Sequence, residues 1–261
     1  MTSENGITYL RASGINLFFD CGAKFMFQEV HKIEVPNKIP LAFGSATHST
    51  LMRNYTQKIE SRSDLDVETV KEIFSDEFEK EFNYVDPNDI KVASKNIKDV
   101  GIQLVEKYQR EVAPRIYPVN VEMRLRMRFK DYPFGLTGQI DVFDIYNTLV
   151  DHKTTGKKIK DVNPENYERQ VGGFYVLLLR GAGKEVKRAR IDYLGYSDEA
   201  IDIRHREVNI DTNHAIKMFK TAADSIKAGN FIPNRNSFLC TKRFCKFWNE
   251  CEKTFGGSVK S

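Results

Sequence analysis

Two short stretches place paired carboxylates beside a lysine: Gly138-Gln-Ile-Asp141 and Asp151-His-Lys153. Their apolar neighbours Ile140, Val142, Leu149 and Val150 predict a buried strand pair with its charges aimed at a shared cavity. Residues two apart on a strand share a face, so Asp151 and Lys153 project together. The hairpin register decides whether Asp141 joins them. With a three-residue turn at Tyr146-Asn147-Thr148, Ile145 pairs with Leu149, Asp141 pairs with Lys153, and Asp141 lies diagonal to Asp151. A two-residue turn sends Asp141 to the other face. Carboxylates a few ångströms apart repel unless a cation sits between them. Oxygen ligands suit a hard divalent ion, Mg²⁺ or Mn²⁺. The adjacent lysine suits holding an attacking water or the charge of a phosphoryl transition state. The plainer alternative for a bare Asp-x-Lys is a surface ladder of ion pairs.

Other residues bear on the same chemistry. His48, in Phe43-Gly-Ser-Ala-Thr-His48, reads either as a nitrogen ligand for that ion or as a core histidine beside Leu51 and Met52. A helical stretch holds Gln170, Gly172, Gly173, Phe174 and Tyr175. Gln170 and Phe174 share a face, and Tyr175 is turned about 100° further. The glycines cost about 1 kcal/mol each in a helix; they leave room for a phosphate chain or for close helix–sheet packing. Glu122 reads as a further acidic site residue or as the partner of an arginine. Arg124, Arg126 and Arg128, with Lys157, Lys158 and Lys160, read as a phosphate path or as solvated faces.

Cys21 stands near the start, whereas Cys240, Cys245 and Cys251 crowd the end. This pattern suggests ligation over disulfides. Four thiolates hold a 4Fe–4S cluster or a zinc ion. Zinc sites favour C-x₂₋₄-C pairs, which Cys240–Cys245 approaches without a second pair. One distant cysteine and three close ones fit a cluster that staples the chain ends.

The elements that position these residues follow from periodicity. Helices are predicted from Ser13 to about Val30, Gly44–Ser61, Val67–Glu81, and from Pro87 to before Pro114. Val121, Met123, Leu125, Met127 and Phe129 then alternate with charged residues, as a strand with one wet face does. Strands follow at Leu136–Ile145 and Leu149–Lys153, a helix at Pro164–Arg180, strands at Arg188–Gly195 and Ala200–Val208, and a helix at Thr212–Ala228. The prediction is one α/β domain over 1–261 with a mixed sheet: a mainly helical part at 13–113, an α/β core at 114–229, a Cys-rich cap at 230–254 and a loose tail at 255–261.

In that order, Gly44–His48, Gly138–Asp141, Asp151–Lys153 and Gln170–Tyr175, bracketed by Cys21 and by Cys240, Cys245 and Cys251, resemble the PD-(D/E)xK nuclease superfamily in its RecB-like exonuclease branch. Within that branch the likeness is to the CRISPR-associated and AddB-type nucleases that carry an iron–sulfur cluster. It covers the chain from Ser13 to Cys251. It implies a restriction-endonuclease-like fold, a mixed central sheet flanked by helices. It implies a Mg²⁺/Mn²⁺-dependent deoxyribonuclease, an exonuclease on single-stranded or frayed DNA ends. His48, Asp141 and Asp151 would be metal ligands with the backbone carbonyl of His152, and Asp141, Asp151 and Lys153 the catalytic set. Gln170 and Tyr175 would position DNA, and the four cysteines would hold a 4Fe–4S cluster, zinc being the alternative. A protein partner in a recombination, repair or adaptation complex is also implied. The chain departs from the family twice: Phe174 stands where Gln-x-x-x-Tyr has its tyrosine, and the gap from Cys240 to Cys245 is longer than is usual there. The rival from another class is a non-catalytic DNA-binding or assembly subunit that keeps the fold; a complete set of four site residues speaks against it. An RNA-directed nuclease is a third reading.

Composition sets the bounds. The chain has 261 residues, 41% apolar and 29% charged, with a net charge of +4, which excludes global disorder and is compatible with a polyanionic partner. No apolar run approaches the ~18 residues of a membrane span. Met1–Leu17 lacks a basic segment followed by an apolar one, which predicts no secretory signal and a cytoplasmic protein.

Overall fold

The computed structural model describes residues 2–4, 7–91, 96–130, 132–163, 165–197, 200–237, 239–242 and 244–260. Its strands form one mixed sheet. The alternating stretches fold as an antiparallel meander: β3 (Pro118–Arg128), β4 (Phe134–Asp144) and β5 (Thr148–Thr155). A helical crossover returns the chain to β6 (Arg188–Ser197), parallel to β5, and β7 (Ala200–Glu207) pairs antiparallel with β6. Two N-terminal strands extend the sheet, β1 (Thr2–Glu4) and β2 (Ile7–Arg11), with β2 parallel to β4. The sequence reading missed both, because such short runs carry too little alternation to stand apart from a loop.

The pairing of β4 shapes the site. One edge pairs with β3 almost throughout, from Gly135 to Asp144. The other edge is shared, with β2 on Phe134–Thr137 and β5 on Val142–Phe143. Gly138–Asp141 lie in the fork between β2 and β5, with no strand partner on that edge among the described residues.

Helices cover both faces. On one, α3 (Ile39–Ser61), α4 (Val67–Phe82) and α6 (Ile97–Glu111) bury Phe43, Leu51, Phe74 and Tyr108 against Val142, Val150 and Leu194. On the other, α1 (Ala12–Asp20), the helix following β5 and α9 (Thr212–Lys227) pack Ile15, Phe174 and Phe219 with Phe143, Leu149 and Ile191. Asp66 and Asp211 cap α4 and α9, each accepting a backbone N–H at 2.9 Å.

Several boundaries differ from those predicted. The Ser13–Val30 helix breaks at Cys21, where the backbone is extended, and resumes as α2 (Gly22–Phe25) and a π-helical turn, Met26–Val30. The break follows from packing: a Cβ at Gly22 would lie 2.9 Å from the Ile232 nitrogen, and Ala23 N donates to Ile232 O at 3.3 Å. α3 starts at Ile39, not Gly44, because Pro40 occupies the first turn, where its missing N–H costs nothing. The span after Pro87 divides into α5 (Pro87–Lys91) and α6, with 92–95 outside the described residues. Pro164, the predicted start of the next helix, also lies outside them. The cap contains α10 (Trp248–Phe255). Its tail is not loose: Val259 is buried, Val259 N donates to Glu252 Oε1 at 2.7 Å, and Lys242 N donates to Lys260 O at 2.7 Å.

Candidate active site

The β4–β5 hairpin pairs Val142 with Val150 and Phe143 with Leu149. This corrects the expected register by two residues: Ile145 does not face Leu149, and Asp141 falls opposite Asp151 instead of Lys153. Asp144 sets the turn. Its carbonyl accepts Asn147 N at 3.1 Å, its Oδ1 accepts Tyr146 N and Thr148 N at 2.9 Å each, and Asn147 adopts a left-handed φ of 59°. The loop is therefore Ile145–Asn147. A shift of two preserves the face, so the aspartates still meet.

At the fork, the Asp141 carboxylate takes the place of a strand partner: Oδ2 accepts His152 N–H at 2.8 Å. His48 Nδ1, from α3, and His152 Nδ1 each lie 3.4 Å from the same oxygen. Asp151 is 1% exposed, and Lys153 Nζ sits 2.5 Å from its Oδ2. Apart from this ion pair, neither Asp151 oxygen has a hydrogen-bond partner. Lys153 Nζ also lies 3.4 Å from the His152 carbonyl.

These neighbours separate the two carboxyls. Burial alone would raise Asp141, but His48, the His152 side chain and Lys153 outweigh it and hold this carboxyl well below the usual range. Burial raises Asp151; Lys153 opposes, Asp141 adds repulsion, and the result is a carboxyl pushed up to about 6. Burial lowers the His48 imidazole more than Asp141 raises it, which keeps the ring neutral. Lys153 is held protonated: desolvation disfavours its charge, but Asp151 and Asp141 together prevail. The donor set fits a divalent cation, since two buried carboxylates, with spare oxygen lone pairs beyond the His152 N–H and Lys153, and a neutral imidazole nitrogen surround the fork. The ligand atoms of His48, Asp141 and His152 all lie within 4.8 Å of one another, and Asp151 is outside that group of three.

The structure resolves the misplaced tyrosine. The helix after β5 runs as α7 (Glu165–Glu168), a π-helical stretch Arg169–Tyr175, and α8 (Val176–Gly181). A π turn accommodates one extra residue. It brings Tyr175 round to Gln170, whose Nε2 lies 2.5 Å from the Tyr175 hydroxyl, and sends Phe174 into the core. Burial and Asp151 raise the Tyr175 phenol, which stays protonated. Gly138 makes room for that ring: a Cβ there would meet Tyr175 Cε1 at 2.9 Å and Leu178 Cδ1 at 2.8 Å. Gly172 and Gly173 serve packing. Their missing Cβ atoms face Asn209 O and Ala215, so no phosphate chain is accommodated there.

Glu122 borders the site. It holds a left-handed φ of 50° within β3 and accepts a hydrogen bond from Gln139 Nε2; burial and then Asp141 raise its carboxyl. A non-glycine residue held in that region marks a place where the surrounding structure imposes the conformation. Arg128 reaches the Tyr9 hydroxyl at 3.2 Å and Arg126 lies over the Tyr9 ring, so two of the three strand arginines engage β2. Beyond the fork, Lys153 lies over the Tyr167 ring, Tyr167 neighbours Tyr193, and a groove lined by Lys157, Lys158, Lys160 and Arg204 follows.

Cys21, Cys240, Cys245 and Cys251 line one cavity, with Asp20 and Lys24. Asn234 N donates to Cys21 Sγ at 3.4 Å. Burial raises Cys245 and Cys251, and the neighbouring thiols add to it. No three of these sulfurs form a group within 4.8 Å among the described residues.

Sequence reasoning missed Tyr55, Tyr108 and Asp192, which surround the His152 ring. Tyr108 Oη lies 2.8 Å from His152 Nε2 and donates to Asp192 Oδ2 at 3.0 Å, and Tyr55 donates to Tyr108 at 3.1 Å. Strand alternation was a usable signal, because it places His152 on the face opposite Asp151 and Lys153.

The profile of the PD-(D/E)XK nuclease superfamily matches residues 10–252. A structure from Eubacterium rectale named as an exonuclease is similar, with 14% identity and a TM-score of 0.55 over 100% of this chain and 95% of that one. An alkaline exonuclease from Laribacter hongkongensis shares 11% identity over 70% of this chain and 86% of that one, with a TM-score of 0.30. No curated protein matches. No described helix is long and apolar enough to cross a membrane. With the profile match running through the fork, the hairpin and the cysteine cap, the chain belongs to the PD-(D/E)XK nuclease superfamily.

Proposed function

We infer that the protein is a Mg²⁺- or Mn²⁺-dependent deoxyribonuclease that works from single-stranded or frayed DNA ends. The observation that carries this reading is the meeting of Asp141 and Asp151 at the fork, with Lys153 Nζ 2.5 Å from Asp151 and the His48 and His152 nitrogens 3.4 Å from Asp141. His48, Asp141, Asp151 and the His152 carbonyl would hold the ion, which when bound supplies an activated water and a polarised phosphate. Lys153, kept protonated by the two aspartates, orients that water and neutralises charge that grows on the scissile phosphate. The Gln170 amide and Tyr175 hydroxyl, joined across the π turn, orient the DNA backbone at the same face. Tyr167, partly buried beside Lys153 and backed by the buried Tyr193, offers a ring on which an unpaired base stacks.

The four cysteines would hold a 4Fe–4S cluster, which places the chain with the AddB-type and CRISPR-associated branch and gives it a scaffold joining its two ends. A partner in a recombination, repair or adaptation complex goes with that branch. The test is cleavage of linear single-stranded, linear duplex and circular single-stranded DNA by pure protein with Mn²⁺. Linear single strands should be degraded to nucleotides and circles spared, and Asp151→Asn should be inert. Equal attack on circles contradicts the end requirement; equal activity of Asp151→Asn contradicts the site.

A further inference from the structure

The mechanism above uses the backbone of His152 and leaves its ring unused. That ring is 2% exposed, stacks with Tyr55 at 6.0 Å between centroids and meets Tyr108 edge-on at 5.5 Å. Its Nε2 is held by the Tyr108 hydroxyl. Tyr108 has one hydroxyl proton, and Asp192 receives it at 3.0 Å. Asp192 is fully buried and faces Arg190 Nε at 3.0 Å and His205 Nδ1 at 2.8 Å, so it is ionised and accepts only. With that proton given to Asp192, the Tyr108 oxygen is placed to accept from the Nε2–H tautomer of His152 at 2.8 Å. In that tautomer Nδ1 is the nitrogen that faces the fork.

Nδ1 faces two further possible ligand atoms. Asp141 Oδ2 lies 3.4 Å away, and His48 Nδ1 lies 3.4 Å from the same oxygen. These three possible ligand atoms lie within 4.8 Å of one another, a spacing at which a single cation can take all three. A histidine that donates its other N–H to a hydrogen-bonded partner is also the common arrangement for a metal ligand, because the partner fixes the tautomer and the ring orientation.

We propose that His152 Nδ1 is a nitrogen ligand of the divalent ion at the fork, with Tyr108 and Asp192 as positioning residues, and that the site accordingly takes an imidazole-accepting ion of the Mn²⁺ class in preference to Mg²⁺. The inference rests on the metal-dependent reading above and sharpens it. Two imidazoles and a carboxylate form a set that first-row transition ions occupy more tightly than Mg²⁺, which favours oxygen ligands and keeps its waters.

The test is direct metal binding, with no DNA present. Calorimetric titration of the purified protein should give a Mn²⁺ Kd at least tenfold below that for Mg²⁺. Pulsed electron paramagnetic resonance of the Mn²⁺ complex should show two coupled imidazole nitrogens. His152→Gln should leave one nitrogen and bring the two affinities together. Tyr108→Phe, which removes the hydroxyl that holds the ring, should weaken Mn²⁺ by roughly tenfold. One coupled nitrogen in wild-type protein that binds Mn²⁺ through Asp141 overturns the inference alone, and this needs no folded variant. Failure of wild-type protein to bind Mn²⁺, or binding that Asp141→Asn leaves unchanged, overturns the metal reading along with it.

Discussion

Each residue at the fork has a separable task. Tyr175 is an example: its hydroxyl meets Gln170, it has no contact that an ion at Asp141 would need, and burial beside Asp151 keeps it protonated. Tyr175→Phe should leave Gln170 without its partner and lower kcat/KM by about tenfold, the kinetic equivalent of one buried hydrogen bond. Its Mn²⁺ affinity, read by titration, should equal that of wild type. A parallel loss of metal binding would move Tyr175 from substrate to metal. The pair of residues was legible in the sequence, but their geometry was not. A helix of ordinary pitch turns Tyr175 away from Gln170, and nothing local in Arg169–Tyr175 announces the π turn that turns it back.

At the scale of elements, the site depends on how β4 is flanked. Gly138 lies in the unpaired stretch and supports the Tyr175 ring by having no side chain. Gly138→Ala should destabilise the fold by about 1–3 kcal/mol in denaturant titration, through overpacking against Tyr175 and Leu178. No change would mean that the ring relocates freely. On the opposite face, β6 and β7 bring Arg190 and His205 to Asp192. Burial alone would raise Asp192, but the His205 hydrogen bond and Arg190 hold it below its ordinary value. A carboxyl that titrates lower folded than unfolded stabilises the fold when ionised. This contribution is complete above about pH 3.9 and is lost as pH falls through the folded value. Asp192→Asn should therefore lose less stability than wild type between about pH 4 and pH 2, read as Tm against pH; matching slopes would remove Asp192 from the acid response. Apolar alternation was enough to read the β3–β5 meander in the sequence. It could not supply the register, which Asp144 and Asn147 set two residues from the turn expected, or the fork, which depends on β2, a strand of five residues.

For the whole molecule, the notable feature is the closure of its ends. Cys21 sits at the break between α1 and α2, Cys251 is buried in α10, and Ala23, Met26, Phe27 and Phe247 pack around them. In the cluster proposed above, ligation would add to the hold that this small apolar group provides. Linking residues this far apart restricts the unfolded chain by about 5 kcal/mol in the chain-closure treatment. Cys251→Ser should give protein without iron, without visible absorbance and with a lower Tm. A stable, colourless, iron-free wild type would remove the cluster. The bracketing cysteines were readable in the sequence, as was the order of site residues along the chain. The break at Cys21 was not, because the stretch has helical periodicity throughout and only the contact of Gly22 with Ile232, far along the chain, interrupts it.

The central claim is that Asp141, Asp151 and Lys153 form one metal-dependent hydrolytic site. The most direct measurement is nucleotide release from end-labelled linear single-stranded DNA, with Mn²⁺ or with EDTA, for wild type and Lys153→Ala. Release is expected only from wild type with Mn²⁺, with a loss of at least about a hundredfold in Lys153→Ala, as for removal of a group that stabilises transition-state charge. Release that survives EDTA or Lys153→Ala would contradict that claim.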